Sequence, residues 1–313
     1  MTSEADAALD LFLHWLREGH GRGFAVKAGD GVITASDGEF TLAVAVGSLV
    51  PAEDERWDAA RKRLEAQIAE GLPARIALWV PAGAALPSEE PAASEFAELA
   101  RQAALKLGPQ ERAHVPLPIR LGLRKNNSEG GVISVTGGLN AHWATFTGRV
   151  QGTFDLDSMA LHRLPESAEH LEELVERIVT VAGEMDDGDV REIETIDAWT
   201  VQRLSGDGGC TIFGLPRGAT EDIGLAVRRN FRRLLRDAVP PLREAEADLR
   251  ALIVIGYYPR IEMEGATTAM RGYDPASYSG VDFVCLVTDG VVKPLIQPSE
   301  RLLPWAKAGQ PGA

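Results

Sequence analysis

The chain has 313 residues, 45% of them hydrophobic and 25% charged, an ordinary globular composition that excludes a disordered or fibrous protein. At roughly 100 to 200 residues per domain the length predicts about two domains, with enough core to need neither disulfide nor metal. The net charge of −14 disfavours broad association with nucleic acid or anionic membrane, and no stretch approaches the roughly 18 apolar residues of a membrane span.

The chain begins Met1, Thr2, Ser3, Glu4, which lacks the basic and then apolar pattern of a signal peptide, so a cytoplasmic location is expected. Leu9, Phe12, Leu13 and Leu16 repeat at helical spacing and predict a helix over 3–18, with Ser3 as its N-cap. Three β-type runs follow at 24–27, 32–35 and 40–46, divided by the turn pairs Asp30-Gly31 and Asp37-Gly38. The third run is apolar on both faces, the mark of a strand covered on both sides. A helix over 54–70 and a second buried strand over 76–80 complete an α-β-β-β-α-β order. The strands 40–46 and 76–80 are expected to lie side by side, joined by a parallel crossover.

Residues 94–107 predict a helix, and the prolines of 114–120 exclude one there. From there to about 154 the chain reads as β-rich. Asn140, His142, Trp143, Thr145 and Thr147 read as a hairpin strand with one aromatic packed down, or alternatively as a groove lining. A helix over 165–183 follows, then strands at 193–204 and 210–215. A long helix is expected over 221–237, broken at Pro240-Pro241, with further helix to 249. Strands at 252–257, 281–288 and 291–296 close the chain, with a Gly/Tyr/Thr-rich loop before the second and a frayed tail after Trp305. The whole reads as α/β or α+β, with mixed sheets flanked by helices. Its segments are an N-terminal α/β unit (1–108), a β-rich connecting segment (109–164) and a C-terminal α/β unit (165–313).

The N-terminal element order resembles the restriction-endonuclease-like core. That resemblance implies a metal site built from an acid and an E-x-K on the third strand. The third strand offers Glu39-Phe40-Thr41 without a lysine, and Lys27 falls on an earlier strand. Asp155 and Asp157 offer a D-x-D pair of the kind that holds Mg²⁺ in haloacid-dehalogenase-type phosphohydrolases, with His162 nearby. No third acid or lysine follows at a suitable distance, so neither aspartate is expected to bind metal and no cofactor is expected. Cys210 and Cys285 each sit in an apolar run and read as buried, reduced thiols.

Charge is uneven along the chain. Residues 166–197 hold twelve acids against Arg177 and Arg191. On the long helix, Arg228, Arg229, Arg232, Arg233 and Arg236 fall within an arc of about 140° at 100° per residue. Phe231, Leu234, Leu235 and Ala238 lie opposite, as the stripe to be buried. The acids of 166–197, a phosphate-bearing partner, or water are the candidates for neutralising these arginines, and the internal acids are expected to do so. The expected function is a non-catalytic interaction or self-assembling protein, with a protein partner or a homo-oligomer and no membrane. The alternative is a metal-dependent nuclease-like or phosphate-ester-processing enzyme.

Overall fold

The computed structural model describes residues 3–28, 31–49, 55–81, 84–165, 167–216, 223–256 and 274–308. Asp30 of the first turn pair, the expected helix start at 221–222, most of the Gly/Tyr/Thr-rich loop (257–273) and the tail 309–313 lie outside the described residues. In chain order the elements are α1 (Ser3–His20), β1 (Ala25–Ala28), β2 (Ile33–Ser36), β3 (Thr41–Ser48), α2 (Glu55–Ala69), β4 (Ala74–Trp79), α3 (Ala92–Leu105), β5 (Arg112–Asn127), β6 (Gly131–Gly137), α4 (Trp143–Phe146), β7 (Gly152–Ser158), α5 (Ala168–Gly183), β8 (Val190–Asp207), β9 (Gly209–Phe213), α6 (Ile223–Glu244), β10 (Leu249–Ile255), β11 (Phe283–Thr288), β12 (Val291–Ile296) and α7 (Pro304–Ala308). The protein is a mixed α/β structure with two mixed six-stranded sheets flanked by helices. Among the described residues no helix is long and apolar enough to cross a membrane.

The chain divides into two compact units that are not consecutive in sequence. Residues 1–113 and 200–313 form the first, and 114–199 form the second. This division does not follow the segments 1–108, 109–164 and 165–313 read from local pattern. The passage between units falls inside two long strands, β5 and β8, where composition does not change and no linker marks it.

The first unit contains a sheet of order β1-β2-β3-β10-β11-β12. β1, β2 and β3 form an antiparallel meander, β10 runs parallel to β3 with Val44 opposite Ala251, and β11 runs parallel to β10. Residues 42–45, 251–255 and 283–287 of the three central strands are all buried, as helices on both faces of parallel strands require. α1 packs on β3 and β10–β12, seating Phe12 edge-on against Phe283 at 6.3 Å between ring centroids. α6 packs on β3 and β10.

Strand β3 is central, as its two-sided apolar pattern predicts, but its neighbour is not β4. β4 lies in the other sheet, antiparallel to β8 and parallel to β9, with Trp79 stacked on Phe213 at 4.0 Å. The place beside β3 goes to β10, which follows α6, so the α-β-β-β-α-β order is completed within one sheet by elements some 200 residues downstream. An apolar run shows that a strand is covered on both faces, and says nothing of which strand it lies beside.

Pro240 and Pro241 lie inside α6 and do not break it. Each removes one backbone hydrogen bond in the last two turns. The buried stripe Val227, Phe231, Leu235, Val239 and Leu242 nevertheless runs straight through them, and Arg250 donates to the carbonyls of Leu242 and Ala245 beyond. Burial of Val239 and Leu242 outweighs the lost bonds, at roughly 1.5 to 3 kcal/mol per apolar side chain.

In the same unit, the Glu65 carboxylate of α2 accepts the Ile212 N–H of β9 at 2.8 Å. Burial raises its pKa above the usual carboxylate value, more than that hydrogen bond and Arg61 lower it. A carboxyl whose folded pKa is raised costs stability once pH climbs through that pKa, because the folded state then ionises it at a penalty. Glu65→Gln keeps an acceptor for Ile212 and removes the charge. Its melting temperature is expected to exceed wild type at pH 7 and to match it near pH 4. A lower value at pH 7 would refute this account.

The second unit is built on β6-β7-β5 and the first half of β8. β7 is parallel to β6 and antiparallel to β5, with Leu123 opposite Leu156. Leu121, Leu123, Ile133, Val135, Phe154, Leu156 and Ile193 pack one sheet face against Leu174, Val175, Ile178 and Ala182 of α5. The opposite positions, Arg120, Arg124, Asp155, Asp157, Glu192 and Glu194, are exposed. Residues 140–147 are not a strand. A parallel β6–β7 pair needs a crossover rather than a hairpin, and Asn140–His142 and Trp143–Phe146 supply it as short helical turns. Phe146 is the buried aromatic, while Trp143 is exposed.

Candidate functional site

The arginine face is positioned by the packing of α6. Gly47 of β3 faces this helix so closely that a Cβ there would stand 2.5 Å from Leu234 Cδ2. With Leu234 against β3 and Phe231 and Leu235 buried, the helix rotation is set, and Arg228, Arg229, Arg232, Arg233 and Arg236 are all exposed. These five side chains together line a groove of about 520 Å³. From Arg228 to Arg236 the helix rises through eight residue steps, about 12 Å. Arg236 Nε lies 3.1 Å from the carboxylate of the adjacent Asp237.

Several of the acids of 166–197 pair within the second unit. Glu172 and Glu176 hold Arg149, Glu192 and Glu194 hold Arg120, Asp187 lies 3.8 Å from Lys125, and Asp189 lies 3.8 Å from Arg191. All of these pairs join groups of the second unit.

Asp155 and Asp157 stand two residues apart on the exposed face of β7, within the strand rather than in a loop approaching α5. Asp155 accepts from Asn126 Nδ2 at 2.9 Å, and Asp157 accepts the Met159 N–H at 2.9 Å. Glu39 pairs with Arg22 at 2.9 Å, and Lys27 lies on the edge strand β1. Among the described residues no group of three or more His, Cys, Asp or Glu side chains is placed to hold a metal ion. Both cysteines are free, on strands of different sheets. Burial holds both thiol pKa values up, aided at Cys210 by the nearby Glu65 carboxylate, so neither is poised as a thiolate.

His162 is not isolated. It belongs to a hub centred on Asp197, which is 1% exposed. The Asp197 carboxylate accepts the backbone N–H of His162 at 3.3 Å and of Arg163 at 2.9 Å, and its second oxygen lies 3.2 Å from His162 Nδ1. This clamp fixes the turn that leads into α5. Beside the turn is a cleft of about 330 Å³. Arg163, Leu164 and Pro165 of the turn line it, with His170, Glu173, Leu174 and Arg177 of α5, His114 of β5, and Thr195, Ile196 and Ala198 of β8.

Sequence reading missed this cleft because its walls come from four separate segments. One signal was available: positions 170, 173, 174 and 177 share a face of α5 at helical spacing. Asp197, an acid between Ile196 and Ala198-Trp199, carried a second signal, because an acid in an apolar strand is either exposed or fully satisfied. Comparison with known proteins adds nothing further, as no family model, curated protein or solved structure matches the chain.

Proposed function

We propose that this chain is a non-catalytic, cytoplasmic interaction protein that docks an acidic protein surface, from a partner or a second copy, on the arginine face of α6. The observation that carries this reading is the groove lined by five exposed arginines on a chain of net charge −14. An acidic protein surface complements five guanidinium groups set within about 12 Å along one helix face. At physiological salt the rest of the molecule is screened beyond about 8 Å, so the local field of the groove governs docking.

The test is charge reversal of Arg229, Arg233 and Arg236 to Glu. These positions are exposed, so unfolding free energy is expected to stay within about 0.5 kcal/mol of wild type per substitution. Association is to be read by sedimentation of the purified protein, and by binding of a poly-glutamate peptide, at low and high salt. Wild type is expected to bind in a salt-sensitive way and the variant to lose at least tenfold in affinity, about 1.4 kcal/mol. Equal behaviour of the two proteins would sink the proposal. Binding of single-stranded oligonucleotide in place of the peptide would redirect it to a polyanion.

The metal-dependent nuclease-like or phosphate-ester-processing reading stands second. It is favoured by one observation, that α6 and β10 complete the α-β-β-β-α-β order within a single sheet. A rise in melting temperature with Mg²⁺ or Mn²⁺ would select it over the first.

A further inference from the structure

We propose that the open edge of β8 is a docking site for an extended, uncharged segment of a partner protein, which adds to the second unit's sheet as a further antiparallel strand.

The edge follows from the register. Lys125 donates its N–H to the Asp189 carbonyl, and Arg203 donates to the Glu111 carbonyl, both at 3.0 Å. The step from 111 to 125 on β5 equals that from 189 to 203, so one antiparallel register holds along β8. Its odd-numbered residues then turn their backbone groups to β5, and the even-numbered ones face away. On that far side β4 pairs with β8 only as far as Thr200, opposite Trp79. Among the described residues no strand lies beside Glu194, Ile196 or Ala198 there.

This edge is guarded at one end and bare at the other. Arg191, Glu192 and Glu194 charge its first part, and Arg177 Nη1 donates to the outward Glu194 carbonyl at 2.8 Å. Charges of this kind blunt an edge against pairing. Over Thr195–Ala198 the one charged residue is Asp197, which is 1% exposed and occupied with the turn before α5. Ile196, in the middle of the bare stretch, is 57% exposed.

The cleft of about 330 Å³ lies at the same place, lined by Thr195, Ile196 and Ala198 together with Leu164 and Leu174. Successive strand residues point to opposite faces, so a cavity that touches both Thr195 and Ile196 wraps the edge between them. An added strand meets the N–H and C=O groups of Ile196 and Ala198 with its own. One of its side chains covers Ile196, and the next enters the cleft towards Leu164. Apolar β-branched side chains suit such positions. A second copy of the chain fits less well. Two β8 edges paired about Ile196 would set residue 192 of one opposite Thr200 of the other, a position that β4 already holds.

The probe is the peptide Thr-Val-Thr-Val-Thr, with fluorescein at its N-terminus and an amide at its C-terminus. Fluorescence anisotropy with the full chain is expected to show saturable binding. Methylation of every peptide nitrogen keeps the side chains but removes the donors, and is expected to weaken binding at least about tenfold. Ile196→Pro removes an N–H that points to the open edge and spares the ladder to β5. Its melting temperature should stay near wild type while peptide binding falls about tenfold or more. Ile196→Val keeps the N–H and the branched side chain and should bind as wild type does. Reversal of Arg229, Arg233 and Arg236 should leave peptide binding unchanged, so this edge and the α6 face succeed or fail separately. No anisotropy change at millimolar peptide would overturn the proposal. So would equal binding of the methylated peptide, or wild-type binding by Ile196→Pro. Dimerisation that Ile196→Pro abolishes, with no peptide bound, would overturn it in favour of a second copy.

Discussion

Gly138→Ala is expected to lower the unfolding free energy by about 3 kcal/mol, the upper end of the usual range of about 1 to 3 kcal/mol for forcing atoms into closed packing. Gly138 follows β6 and donates its N–H to the Ser158 carbonyl at 3.1 Å. A Cβ at this position would fall deep inside the radius of the Leu161 carbonyl oxygen, which is backbone and has little room to retreat. Leu161 is itself tied down, since its N–H donates to the same Ser158 carbonyl at 3.0 Å. Ser158, fully buried, donates to Thr136 O at 2.5 Å and accepts the Leu139 N–H at 3.0 Å. The ends of β6 and β7 are thereby locked together, and the turn carrying His162 and Arg163 leaves from that lock. Gly183→Ala provides the contrast. It is the last residue of α5 and has open space where its Cβ would go, so the change is expected to be neutral or slightly stabilising. Chemical denaturation of both variants decides the matter, and a Gly138→Ala loss under about 1 kcal/mol would show that the turn yields more easily than its bonds suggest.

Asp197→Ala is expected to cost a similar amount, about 2 to 4 kcal/mol, for a different reason. Removing the carboxylate leaves the N–H groups of His162 and Arg163 without their acceptor and strips His162 Nδ1 of its partner. Each part-buried donor left unsatisfied costs about 1 to 3 kcal/mol. Asp197→Asn retains one oxygen for the two backbone donors and is expected to lose less than half as much. If alanine and asparagine proved equally harmful, the negative charge rather than the hydrogen bonds would be what the hub needs.

Much of the secondary structure was written in local pattern. The 3–18 repeat became α1, the two-sided apolar run at 40–46 became the central β3, and residues 114–120 became a strand because their prolines exclude a helix. The arginine arc was equally legible, since one helical period places Arg228, Arg229, Arg232, Arg233 and Arg236 together and the buried stripe turns them outward. These features depend on neighbours a few residues apart, where helix and strand periodicities operate.

What lies beside what was decided only by the tertiary structure. The placing of β10 rather than β4 next to β3, the survival of α6 through Pro240 and Pro241, and the helical crossover at 140–146 each reflect burial against distant elements. The same holds for the cleft beside α5 and for Asp197, whose hydrogen-bond donors come from a turn 34 and 35 residues away. Periodicity records how much of a segment is covered, but hydrophobic burial is non-directional and carries no address for the partner that does the covering.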